Sequence, residues 1–234
     1  MRARDAVAEA VQALYATFDG PAPRAVTGCP CCSDGAHLAS LSARPRRQLD
    51  GAALGPYAFS ALYTVGTLAD FKHFLPRILE LVAADTLDCD TQVVFHKLVY
   101  DGPWTAAELA AVSRFAEVAL AAAVDDPRRS PLVLIESVGL AGLPLATMLD
   151  RLLVGADATR VSGLARLVFD YGARLTAAGP GWIWWKQGAT STLRDWLLAG
   201  PPLVVLRRAV EGDVDHPDAG AWASACDVLE CVSG

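Results

Sequence analysis

Along most of this chain apolar residues return every three to four positions, the spacing of one face of an α-helix. Leu109, Val112, Phe115, Ala116 and Ala119 form one such face. Phe71, Phe74, Leu75, Ile78, Leu79 and Val82 form another. Start and stop signals agree with the pattern. Thr105 and Glu108 stand in capping-box spacing ahead of the first face, and Asp125, Asp126 and Pro127 close it. Ser130 followed by Pro131 reads as an N-cap with proline in the first turn. His216 and Pro217 open a last helix that runs to about Cys231. Further helices are predicted over 5–17, 35–44, 51–65, 69–84, 142–153, 157–177 and 190–198. Alanine and leucine dominate these runs, and both lose little entropy on entering a helix. Val93–Tyr100, Leu132–Val138 and Leu203–Val210 are short and rich in β-branched residues, so periodicity alone leaves them open. Their helical neighbours favour short helices over a small sheet.

The expected fold is mostly α: a multi-helix single globular domain over 1–234 with little or no sheet. One version stacks the helices in two layers, solenoid-like, although no clean internal repeat is visible. Asp125–Pro131 is the expected seam. Asp19–Gly35 and the stretch from Gly179 are loops by their proline and glycine content. The chain is 53% hydrophobic and 20% charged, which argues against intrinsic disorder. Folding at this size buries roughly 70% of the unfolded surface, enough for a core without disulfide staples.

Composition removes several functions. No apolar run is long enough to span a bilayer, so no membrane partner is expected. Residues 1–10 carry Arg2, Arg4, Asp5 and Glu9 and no apolar segment of signal-peptide type, which predicts a cytoplasmic location. The six cysteines are then expected as thiols or metal ligands. Net charge is −6, and the densest basic group is Arg44, Arg46 and Arg47, read as a solvated helix end. Nucleic acid is therefore not an expected partner. No nucleotide-binding glycine motif, nucleophile elbow or zinc-protease motif is present.

Three places carry candidate chemistry. The first is Gly28-Cys29-Pro30-Cys31-Cys32. Cys29 and Cys32 have the C-x-x-C spacing that turns two thiolates toward one zinc ion. The motif supplies half a site, and a redox pair or a plain turn are the other readings. The second is Asp70-Phe71-Lys72-His73-Phe74-Leu75-Pro76-Arg77. Pro76 lacks the N–H that would bond the Lys72 carbonyl, so the helix is expected to kink or restart there. His73, Arg77 and Glu80 share its polar side. The third is Trp182, Trp184 and Trp185 beside Lys186, read either as an aromatic surface or pocket or as the sealed end of a core.

Tyr15-Ala-Thr-Phe18, the prolines Pro21 and Pro23, the Gly28-Cys29-Pro30 turn with Cys32, Tyr57-Ala58-Phe59 with Ala61, and the Asp70–Arg77 motif together resemble a widespread bacterial family of uncharacterised proteins. A looser similarity runs from Asp195-Trp196-Leu197 to Asp227-Val228-Leu229-Glu230. The resemblance covers most of the chain. It implies a bacterial helical protein and no particular reaction, and it draws Cys29, Cys32 and His73 together as one candidate site.

The functional expectation is a helical binding or scaffold protein acting on a protein partner, with a structural zinc at the cysteine turn. An immunity or antitoxin role is one version. The alternative is a cytosolic enzyme using Cys29, Cys32 and His73 as a catalytic zinc or thiol site. The metal ligands are expected to be Cys29, Cys32 and His73, with Cys31, His37 or water as the fourth. The Asp19–Gly35 loop is expected to fold over the start of the Pro76 helix, and an ion is expected to anchor it.

Overall fold

A computed structural model describes residues 3–31, 33–99, 102–175 and 188–233. Helix makes up 72% of the chain and no strand occurs among the described residues. The expected fold class is the observed one. The three open segments are helical: Thr91–His96 with a 3-10 turn after it, Leu132–Leu140 and Pro201–Gly212. Two isolated bridges, Gly28 with Val65 and Ala61 with Val65, are the extended pairings present among these residues.

The chain divides into two compact units, Met1–Ala119 and Leu120–Gly234, with the division inside one long helix, ahead of Asp125–Pro131. In the first unit α1 (Ala3–Thr17) and α3 (Gly51–Ser60) pack on α4 (Leu68–Ala84). Then α2 (Gly35–Ala43) and α5 (Thr91–His96) lie against α3, and α6 (Ala106–Asp125) begins. Leu14, Leu54, Tyr57, Phe71, Phe74, Ile78, Phe95 and Phe115 form the core. Both ends of the α6 cap are made: the Glu108 N–H donates to Thr105 Oγ1 at 3.2 Å and the Thr105 N–H to Glu108 Oε2 at 2.7 Å. Thr67 and Asp70 close a second capping box at the start of α4.

The expected restart at Pro76 does not occur, and α4 runs uninterrupted from Leu68 to Ala84. Proline's fixed φ is itself helical, so the loss is confined to one hydrogen bond and one crowded turn, about 3 kcal/mol. Burial of Phe71, Phe74, Leu75, Ile78 and Leu79 outweighs it, at roughly 1.5–3 kcal/mol for each side chain. The helix expected over 51–65 ends instead at Ser60. Leu62 turns to a φ of 65° and Gly66 to 67°, which redirects the chain toward the Asp19–Gly35 loop.

In the second unit the end of α6 is followed by α7 (Leu132–Leu140), α8 (Leu145–Leu153), α9 (Ala158–Leu175), α10 (Gly188–Leu198), α11 (Pro201–Gly212) and α12 (Ala219–Ser233). α9, α11 and α12 pack together, and α10 lies against α7, α8 and α11. Arg160 grips the Asp125 carboxylate with two hydrogen bonds and ties α9 to the end of α6. Gly163 lets the two backbones meet, since a Cβ there would stand 2.1 Å from the Val124 carbonyl oxygen.

Candidate functional site

The cysteine turn is joined by backbone hydrogen bonds to the segment that leads into α4. The Cys29 N–H donates to the Thr64 carbonyl at 2.8 Å, and the Gly66 N–H donates to the Thr27 carbonyl at 2.8 Å. The Cys29 carbonyl accepts from the Ser33 N–H at 3.0 Å and the Ser33 hydroxyl at 2.7 Å. Any side chain at Gly28 would crowd the crossing. A Cβ there would lie 2.6 Å from Ser33 Oγ and 3.0 Å from Val65 Cγ2. Val26 is buried, and its N–H donates to Ser42 Oγ at 3.2 Å. The loop therefore has a buried apolar side chain and hydrogen bonds among its anchors. A single valine among prolines and glycines gave no periodic signal in the sequence.

On this frame the Cys29 and Cys31 sulfurs lie 2.9 Å apart. Cys29 is half-buried and Cys31 exposed. The separation is longer than the ~2.05 Å of a disulfide. It is shorter than the ~3.8 Å that two sulfurs would have on one tetrahedral zinc with 2.3 Å bonds. Cys32 lies outside the described residues, as do Trp182, Trp184, Trp185 and Lys186. Among the described residues no group of three or more His, Cys, Asp or Glu is placed to hold a metal.

His73 sits half-buried on α4 against Phe74. Its Nδ1 is buried without a partner, and the Gly20 backbone lies near the ring. Burial, and then the nearby Arg46 charge, lower its pKa, against the Gly20 backbone and Asp70. Arg46, 3.9 Å from the Asp19 carboxylate and bonded to the His73 carbonyl at 3.0 Å, brings the start of the loop to α4. His37 Nε2 is likewise buried without a partner. Tyr57 Oη is a third such atom, beneath the joint: a Cβ on Gly66 would meet it at 3.3 Å and Asp70 Oδ2 at 3.4 Å. Burial, then Asp70, push the Tyr57 phenol well above its usual value.

Two cations matter that sequence reasoning missed. Arg46 is not solvated. Its guanidinium donates to the Phe18 carbonyl at 2.7 Å, to the His73 carbonyl at 3.0 Å and to the Tyr15 carbonyl at 3.4 Å. It closes the C-terminus of α1 onto α4, where orphan carbonyls and the helix dipole favour a cation. Arg47 stacks 3.5 Å from the Tyr15 ring centre, and Tyr15 Oη donates to Glu80 at 2.7 Å. The second is Lys97, which is fully buried. Its Nζ donates to the Phe59 carbonyl at 3.1 Å and lies 3.9 Å from the Tyr63 ring centre. Burial pushes its pKa down to about 8. Lys97 lies in a segment whose periodicity was ambiguous, so its direction could not be read.

Three exposed apolar side chains belong to residues that touch Lys97 or follow it closely in the chain. Phe59 is 61% exposed, Tyr63 47% and Val99 40%. Tyr63 belongs to the same turn whose Thr64 carbonyl holds Cys29. The turn that carries Tyr63 is therefore joined directly to the cysteine turn. No protein-family model, curated protein or solved structure matches the chain. No helix among the described residues is long and apolar enough to cross a membrane.

Proposed function

We propose that the chain is a helical binding or scaffold protein whose first unit offers the Phe59–Tyr63 surface to a protein partner, with the cysteine turn beside it as a structural zinc module. The observation that carries the reading is the Cys29–Thr64 backbone bond, which makes the turn displaying Tyr63 depend on the turn bearing the thiols. Two exposed aromatic side chains beside a rigid backbone are the composition of an interaction hot spot. Cys29 and Cys32 supply the thiolates of the zinc. His73, whose buried Nδ1 lacks a partner, is the third ligand, with His37 or water as the fourth. An acidic protein that blocks a partner in immunity fashion is one form of this role.

Protein purified without chelator is expected to hold one zinc per chain, and Cys29→Ser or Cys32→Ser to lose it. His73→Asn that keeps full zinc would remove His73 from the ligand set. A partner that co-purifies from the native host, re-measured with purified components, is expected to lose at least tenfold in affinity on Tyr63→Ser, with helix content unchanged. Metal-free protein, together with an unchanged Kd for Tyr63→Ser, overturns the reading.

A further inference from the structure

We propose that Cys29 and Cys31 are a thiol–disulfide exchange pair, oxidised by a small disulfide of the glutathione class to an intramolecular bond across Pro30. The inference rests on the cysteine turn being the functional site but not on an ion occupying it. Its ground is geometric. The two sulfurs are 2.9 Å apart, one exposed and one half-buried. The Cys29 backbone is held at both its N–H and its carbonyl, so that sulfur is presented from a fixed base.

The division of labour follows from exposure. The exposed Cys31 loses its proton to solvent, and its thiolate attacks one sulfur of the small disulfide. The sulfur–sulfur bond of the reagent breaks, and its second half leaves as a thiolate that takes up a proton. Cys31 is then a mixed disulfide. Cys29, already in contact, loses its proton and attacks the Cys31 sulfur. The Cys29–Cys31 bond forms and the second reagent thiol leaves. In sum the protein dithiol gives up two electrons and two protons, and one disulfide becomes two thiols. The step is reversible, so the turn follows the redox poise around it. Because Cys29 also bonds Thr64, oxidation acts next to Tyr63.

The test uses the full chain equilibrated in glutathione redox buffers, quenched by acid, alkylated and digested with trypsin. Residues 25–46 are cut out as one peptide holding Cys29, Cys31 and Cys32, because trypsin does not cut between Arg44 and Pro45. The expected result is a peptide two hydrogens lighter in wild type and in Cys32→Ser, and no such product in Cys31→Ser or Cys29→Ser. Circular dichroism confirms that each variant is folded. If Cys32→Ser abolishes the bond, or only glutathione adducts form, the proposal is overturned. Zinc is assayed on the same samples. Absent zinc with a Cys29–Cys31 bond counts against the metal reading alone, and bound zinc without that bond counts against this inference alone.

Discussion

Lys97 is the residue whose environment departs furthest from its chemistry. A fully buried ammonium with one carbonyl partner carries a desolvation cost that the Tyr63 ring offsets only in part. Its folded pKa of about 8 lies below the ordinary 10.5. Below pH 8 both folded and unfolded chains hold the proton, and the fold bears the whole cost of burying the charge. Between about 8 and 10.5 the unfolded chain holds more protons, so this group makes stability rise with pH across that window. Lys97→Met keeps the stem and removes the charge. It is expected to raise stability at pH 7 by roughly 1–3 kcal/mol. It should also remove the alkaline rise expected of the wild type. Urea unfolding at pH 7 and pH 9.5 for both proteins checks the sign. A destabilised variant at pH 7 would mean that the Phe59 bond outweighs desolvation. Nothing in the sequence marked Lys97, because burial of a lysine is decided by what packs over it.

At the scale of elements, caps and hydrophobic faces did what their residue types dictate. Thr105 and Glu108 were legible as a cap and are one, because the bonds involved are local. What was not legible is that Glu108 also accepts from Lys72 Nζ at 2.7 Å, which links the start of α6 to α4. Hydrogen bonds from Lys72 and Thr105 outweigh burial and hold the Glu108 carboxyl below its usual range. Thr105→Ala is expected to cost about 1 kcal/mol through the lost cap. Glu108→Ala should cost more, since it leaves Lys72, which also donates to the Pro103 carbonyl at 2.7 Å, without its carboxylate. Equal losses in denaturant unfolding would show that the ion pair contributes nothing. Pro76 teaches the converse. A local rule predicted a kink or a restart, and the helix does not restart, because burial of its apolar face outweighs the lost hydrogen bond.

At the scale of the molecule, the two units allow the cysteine turn to be tested against an internal control. If an ion is bound as proposed, its binding energy is folding energy for the turn. A chelator is then expected to speed amide exchange at Cys29 and Gly66, the donors that join the turn to α4. Exchange across α9 and α12 in the second unit should stay unchanged. Unchanged protection at Cys29 and Gly66 after complete metal removal would leave Val26 and the backbone bonds as sufficient anchors. Uniform loss in both units would point to global destabilisation.

The sequence by itself determined the helical class, the α6 cap, the loop at 19–35 and the thiols as its distinctive chemistry. These rest on period, on capping over three residues and on composition, all of which act within a few positions of the chain. Tertiary structure alone decided that Arg46 closes α1 onto α4, that Lys97 is buried under Tyr63, that the helix begun at Gly51 stops at Ser60, and that Val26 is buried at the seat of the loop. Each of these depends on a partner more than fifteen positions away or on packing that no local pattern encodes, and such choices are made only when the core closes.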